Sequence, residues 1–295
     1  MPLRILARHK RVHKTRCLIC GQEARRIFSK LFLQKYEVVF FQCSECALVF
    51  TERPYWLKEA YSSAISALDV GLVGRNLYLA PLISTFIDKS MPTARKFLDY
   101  AGGYGLFTRL MRDRGYDFYR QDQFCTNIFA QNFDLTDLER NDRNFDLVTA
   151  FEVFEHLVNP RKDVQEILAH ADTIFFSTEI VPTLKNQIED WWYLAPESGQ
   201  HISFFSVKSL HRLAEILHVK YYTNQRNMHV FTRREEITDP FPYLERIQGN
   251  SGWHNFLKRV RLRLAKFPFV SAQKRSSLTQ VDFNKALQVL RSQDR

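Results

Sequence analysis

No stretch of the 295-residue chain approaches the roughly 18 consecutive apolar residues of a membrane span. Residues 1–16 are rich in Arg, Lys and His and lack the apolar core of a secretory signal, so neither an anchor nor a leader is expected. An organelle presequence would have little room, because a cysteine module follows at once. Cysteine is too scarce for a disulfide framework: there are five, and four fall in two C-x2-C pairs, Cys17/Cys20 and Cys43/Cys46. That usage favours metal thiolates, a reducing compartment and a cytoplasmic location. Basic residues are also missing from the middle of the chain. Of the net charge of +10, residues 1–16 carry +6 and 251–275 carry +7, whereas 17–250 sum to −4. A groove that tracks phosphates needs Lys and Arg around its site, so the balance argues against a nucleic-acid partner.

What is present is enough apolar material, 45% of residues, for one full α/β core and a small extra module. No internal repeat is visible. After the basic arm, residues 17–52 surround the alternating run Tyr36-Glu-Val-Val-Phe-Phe-Gln42, which predicts a strand in a hairpin-rich unit. Residues 53–92 turn helical, with Tyr55, Trp56, Ala60 and Tyr61 and then Leu77, Leu79, Leu82, Ile83, Phe86 and Ile87 at helical spacing and a break at Gly71 and Gly74; they read as a connector. From residue 93 to 235 short apolar strands (Phe97–Tyr100, Phe118–Gln121, Phe145–Ala150, Thr173–Ser177) alternate with helices (Leu106–Arg112, Phe124–Gln131, Arg161–Ala169). A helix over Ser206–Leu217 and strands over Val219–Thr223 and Met228–Thr232 follow. Such alternation predicts a largely parallel sheet. Residues 236–295 form a tail with an amphipathic basic stretch, Phe256–Lys266, and a short helix near Asn284–Leu290.

Two C-x2-C pairs 22 residues apart match tetrahedral Zn(II), each pair presenting two thiolates from a tight turn, with Gly21 easing the first. Four thiolates close the coordination sphere, so Cys17, Cys20, Cys43 and Cys46 predict a structural and not a catalytic metal. Cys125 has no partner spacing and reads as a buried thiol.

The run Phe97-Leu-Asp-Tyr-Ala-Gly-Gly-Tyr-Gly105 passes from an apolar strand through a glycine-rich turn into a helix, where backbone closely approaches a nucleotide-like ligand. Asp122 ends the next strand, placed for a ribose diol, and a third strand leads into Phe145-Asp-Leu-Val-Thr-Ala-Phe-Glu-Val-Phe-Glu-His-Leu157. Over residues 93–235 these motifs resemble the class I S-adenosylmethionine-dependent methyltransferases, whose patterns read D-x-G-x-G-x-G, an acid after the second strand, and F-D-x-V with E-V-x-E-H-L. The resemblance implies a Rossmann-like, mostly parallel seven-stranded sheet behind a small zinc ribbon and a helical connector. It implies S-adenosylmethionine held by Gly103 and Gly105 at its methionine part, Asp99 ordering the loop, Asp122 on the ribose, and Gln121 and Phe124 near adenine. Ala101 stands where the family's first glycine would be, a one-methyl departure beside Gly102. An NAD fingerprint fits less well, since Leu106-Phe-Thr follows Gly105 where a third glycine is wanted.

Methyl transfer demands positioning and, for a hydroxyl acceptor, a base. His201 is the first candidate, with His156 second; Glu152, Glu155 and Glu179 also follow strand ends. The segment Trp191-Trp-Tyr-Leu-Ala-Pro-Glu-Ser-Gly-Gln-His201 has the composition of a substrate-facing lid, and Trp191 and Trp192 either stack on a sugar or pack in the core. A small or medium metabolite is the expected acceptor, a sugar or glycan by family analogy. A nucleic-acid or protein methyltransferase using the ribbon and basic tail, and a non-catalytic interaction protein, are the alternatives. The basic stretch Trp253–Lys266 has two readings, a helix on an anionic membrane surface and, preferred, a helix packed on its own domain. The oligomeric state is open.

Overall fold

The computed structural model describes residues 13–62, 69–248 and 275–285. The basic stretch Phe256–Lys266 and most of the helix expected near Asn284–Leu290 lie outside them, although 279–285 are helical.

The first four strands are β1 (Lys14–Arg16), β2 (Glu23–Phe32), β3 (Tyr36–Cys43) and β4 (Val49–Thr51), followed by helices α1 (Leu57–Ala60) and α2 (Leu72–Ser90). Gly71 caps α2 and Gly74 lies inside it. An alternating series continues with β5 (Lys96–Tyr100), α3 (Leu106–Asp113), β6 (Asp117–Gln121), β7 (Leu147–Phe151), α4 (Pro160–Ile167), β8 (Thr173–Ser177) and α5 (Lys185–Glu189). The last elements are β9 (Ser203–Phe204), α6 (Val207–Leu217), β10 (Lys220–Thr223), β11 (Met228–Thr232) and α7 (Phe241–Gln248).

The larger sheet has the order β10-β11-β8-β7-β5-β6. Strands β6, β5, β7 and β8 are parallel, while β11 and β10 run antiparallel at one edge. Six strands thus stand among the described residues against the seven expected. At the β6 edge the remaining position is reduced to a single parallel bridge between Arg120 and Asp134.

Side-chain alternation sends Leu98, Val148, Ile174 and Phe176 to one face, against α4 and α6. It sends Phe97, Leu147, Phe175 and Val230 to the other, against α2, α3 and α7. Every residue of β8 is buried, as expected of a strand covered on both faces.

The helix expected over Phe124–Gln131 does not form. Asp122 Oδ1 accepts from the amides of Phe124 and Cys125, and the Asn127 side chain bonds both the amide and the carbonyl of Ala130. Side chains that satisfy nearby backbone in this way replace the helical ladder.

The ribbon is not self-contained. Its sheet runs β1-β2-β3-β4-β9, and the fifth strand comes from residues 203–204, far along the chain. Trp56 sits in the core beneath it, donating from Nε1 to Gly199 O at 2.8 Å. Ser206, the N-cap of α6, donates to Cys46 O at 2.9 Å and so ties a helix of the larger α/β unit to a cysteine knuckle.

Candidate active site

Strand β5 lies between β6, which follows it, and β7, so the chain order reverses at its carboxyl end. In open α/β sheets this switch point is where ligands sit. A cavity of about 1000 Å³ opens there, bounded on one side by residues 99–104 and on the other by residues 192–201. Asp99, Ala101, Gly103, Gln121, Asp122, Phe124, His156 and His201 all line it, brought together from positions up to a hundred residues apart.

The glycine loop is held from beneath. Asp99 is buried and accepts from Thr149 Oγ1 at 2.9 Å, and burial pushes its carboxyl up to about 7. A Cβ on Gly102 would collide with that carboxylate and come within 2.9 Å of Arg120 Cγ, so this position needs glycine. Ala101, in the family's first glycine place, holds a left-handed φ of 54° with its methyl group exposed. Gly105 has φ 85° and caps α3, but it is not part of the cavity wall: a Cβ there would meet Asn127 Oδ1 and Ala130. Its freedom is spent on packing against the 127–130 loop.

Asp122 is engaged by backbone, Oδ2 accepting from Gly103 N at 3.0 Å and Oδ1 from Phe124 and Cys125 at 2.8 Å each. Phe124 is 57% exposed and stacks on Tyr61, ring centroids 4.9 Å apart. Arg120 was not anticipated from sequence. Buried, it pairs with Asp134 at 2.6 Å and donates to the carbonyls of Gly103 and Cys125, joining the glycine loop to the loop after β6. Only the position of Arg120 inside an apolar strand hinted at such a partner.

The opposite wall gathers acids and histidines. Glu152 takes a left-handed φ of 54° at the end of β7 and is fixed by Ser177, whose hydroxyl accepts from its amide and donates to its carboxylate at 2.6 Å. Such strain at a cavity edge is characteristic of functional sites. Glu155 is completely buried, and desolvation pushes its carboxyl up to about 7, with Tyr193, Thr178 and Arg75 as neighbours. His156 Nδ1 lies 3.1 Å from Gln200 O and 3.0 Å from the Tyr61 hydroxyl; His201 Nδ1 lies 2.6 Å from Tyr193 O. A carbonyl only accepts, so both rings carry their proton on Nδ1 and present an unprotonated Nε2. Burial lowers both histidines, His156 to about 3 with His201 adding to the effect. The two rings meet edge to face at 4.9 Å. Trp192 is 73% exposed at the rim, whereas Trp191 packs against Tyr193 and Phe204. Cys125, expected to be buried, is only half-buried and lines the cavity.

The four ribbon cysteines converge at a separate place. Their sulfurs stand 3.6 Å (Cys17–Cys46), 3.5 Å (Cys20–Cys43) and 3.7 Å (Cys20–Cys46) apart, unbonded as disulfides. Amides of Ile19, Glu45 and Cys46 point at sulfur at 3.4 Å, as in a thiolate knuckle. Four sulfurs at Zn–S distances of about 2.3 Å would be separated by about this much, so the donor set fits tetrahedral zinc.

The family model described as a methyltransferase domain matches residues 74–216, which include the whole glycine loop and both histidines. The chain carries a methyltransferase domain. The domain match begins inside the segment read from sequence as a connector. Among solved structures the chain is similar to the plantazolicin methyltransferase BpumL in complex with a monoazolic desmethylPZN analogue and SAH, at 10% identity and a TM-score of 0.43, over 61% of this chain and 93% of that one. It is also similar to an O-methyltransferase family 2 protein from Planctomyces limnophilus complexed with apigenin, at 13% identity and 0.39, over 60% and 66%. A third is the N-terminal domain of EvdMO1 with SAH and D-fucose, at 14% identity and 0.35, over 52% and 83%. No curated protein sequence matches the chain.

Proposed function

We propose that the protein is an S-adenosylmethionine-dependent methyltransferase that transfers the methyl group to a hydroxyl of a small or medium metabolite, a sugar or glycan-linked molecule, and that the ribbon cysteines hold a structural zinc. The observation that carries the reading is the shared cavity: the glycine loop forms one wall and the acid–histidine cluster faces it across about 1000 Å³. That size suits a nucleoside-type cofactor with a modest acceptor beside it.

Asp99, Ala101 and Gly103 would hold the amino-acid part of the cofactor, with Gly105 supporting the loop from behind. Asp122 retains lone pairs for the ribose, and Gln121 and Phe124 border the adenine side. Bound S-adenosylmethionine supplies an electrophilic methyl group on sulfur. The protein's part is then to align the acceptor oxygen and take up its proton. His201 has its Nδ1 proton committed to Tyr193 O, which leaves Nε2 to accept that proton. His156, held by Gln200 and Tyr61, stands next to it. Trp192 offers an exposed aromatic face at the rim, a surface on which a sugar ring stacks. The negative balance of residues 17–250 supports an acceptor other than nucleic acid.

The direct test is mass spectrometry of sugar-nucleotide, lipid-linked glycan and tRNA pools incubated with the protein and S-adenosylmethionine. A one-methylene gain in a glycan pool supports the reading, and a gain confined to tRNA overturns the acceptor class. In the same assay His201→Ala should lower turnover by about 10²-fold or more with cofactor affinity retained. Unchanged turnover removes His201 from the mechanism.

A further inference from the structure

Glu155, His156 and His201 converge more closely than proton transfer requires. One carboxylate oxygen and one nitrogen from each ring lie within 4.8 Å of one another, and His156 Nε2 is 3.9 Å from Glu155 Oε1. That last separation is too long for a hydrogen bond and about 0.5 Å wider than two N/O ligands on one tetrahedral ion, so a small inward movement of the side chains would bring both onto a shared cation. Each ring is oriented by its other nitrogen, His156 through Gln200 O and His201 through Tyr193 O. This is the arrangement in which a histidine's second N–H fixes the tautomer and aims the first nitrogen at a cation.

Glu155 supplies the independent observation. It has no exposed surface, the hydroxyls of Tyr193 and Thr178 are its neighbours, and no Lys or Arg lies within ion-pair distance of it among the described residues. A fully buried carboxylate without a paired cation is costly. The two rings beside it are neutral and offer lone pairs, not protons. His156 and His201 also line the cavity, so a cation held here would keep positions open toward the acceptor.

We propose that Glu155, His156 and His201 form a second metal site, a two-histidine, one-carboxylate set for a first-row divalent cation, distinct from the thiolate site of the ribbon. Two imidazoles and one carboxylate suit Zn(II), Fe(II) or Co(II), while thiolates select softer metals. Three protein ligands leave room for an oxygen of the acceptor, which the cation would orient and acidify. This role rests on the transfer proposed above and deepens it: with a cation bound, His201 would serve as a ligand in place of the base, and the acceptor hydroxyl, made more acidic, would release its proton to solvent water in the open cavity before its oxygen takes the methyl group. The binding itself does not depend on which acceptor is used.

Zinc content of the full chain tests the site without reference to activity. Protein loaded with Zn(II) under reducing conditions and passed over a desalting column in a weak competing chelator should retain two equivalents, and Glu155→Gln and His201→Ala should each retain one. Glu155→Gln is isosteric, and retained S-adenosylmethionine binding reports that the variant is folded. One equivalent in the unsubstituted protein, or two in both variants, overturns the second site. Two equivalents falling to one in the variants, without methyl transfer to any pool, would uphold the metal site and sink the acceptor reading instead.

Discussion

Arg112 on α3 and Asp282 in the C-terminal segment form a bidentate ion pair across 170 residues, with Nε–Oδ2 at 2.9 Å and Nη2–Oδ1 at 2.8 Å and both side chains about 95% shielded. The Arg112 guanidinium also donates to Phe118 O and stacks 3.6 Å above Phe133, so one cation pins the tail, a strand of the sheet and the loop after it. Gly115 lets the tail lie close: a Cβ there would collide with Ser276 O. Removing Asp282 takes a carboxylate from both Arg112 and Arg109, although Arg112 keeps Asp117 at 2.5 Å. Asp282→Ala should therefore lower stability by about 1.5–3 kcal/mol, read as a shift of the urea midpoint. A shift within error of the unsubstituted protein would show the tail to be dispensable.

Ala101 and Gly102 should respond in opposite directions. Ala101 sits at φ 54°, where an L-residue is strained by about 1–2 kcal/mol, and glycine relieves this at some cost in unfolded-chain entropy. Ala101→Gly should gain about 0.5 kcal/mol with cofactor affinity maintained. Gly102→Ala drives a methyl into Asp99 and Arg120, and calorimetric titration should find S-adenosylmethionine binding weakened by at least about tenfold. Equal affinities for the two variants would contradict this account of the loop.

Asp99 predicts a pH dependence. Its ordinary value is 3.8, and burial raises it to about 7 in the folded chain, against the opposing Thr149 hydrogen bond. Between those values the folded state keeps a proton that the unfolded state has released, so its contribution to stability is full below about pH 4 and is lost as pH rises toward 7. Asp99→Asn keeps the shape without the titration. The melting temperature of the variant minus that of the parent, measured without cofactor, should grow from about pH 4.5 to about pH 7.5. A constant difference would place the Asp99 titration elsewhere.

Loss of metal from Cys17, Cys20, Cys43 and Cys46 should loosen the ribbon, since metal binding to such a set is folding energy. Trp56 reports this, being buried and bonded to Gly199. A strong chelator, or Cys43→Ser, should shift tryptophan emission to longer wavelength and lower the melting temperature. An unaltered spectrum after the metal is stripped would mean that the apolar core holds the ribbon alone.

Local pattern made much of this legible. The strands from Phe97 to Ser177, the α6 helix, both cysteine knuckles and the glycine turn are each specified by residues within a few positions of one another, and all appear where expected. What escaped depends on distant partners. Arg120 reads as a charge misplaced in a strand until Asp134 and the Gly103 carbonyl are set beside it. Phe124–Gln131 carries helical spacing, yet Asp122 and Asn127 capture its backbone groups first. The residues Ser203 and Phe204 are too few to announce a strand and acquire that role only by pairing with β4. His156 and His201 could be named as chemical residues from sequence, but their proximity to each other and to Glu155 arises only when β7 and the loop before β9 are brought together.

The short strand after His201 also bears on the order in which the chain can be assembled. Ile202 donates to Glu155 O at 2.8 Å and accepts from Thr51 N at 3.0 Å, so a single residue is stitched to both the ribbon and the larger sheet's surroundings. During synthesis the ribbon emerges first, yet its β4 edge stays uncovered until some 150 further residues have left the ribosome. Over that interval the nascent chain exposes an unpaired strand edge, the feature that chaperones shield and that aggregation exploits.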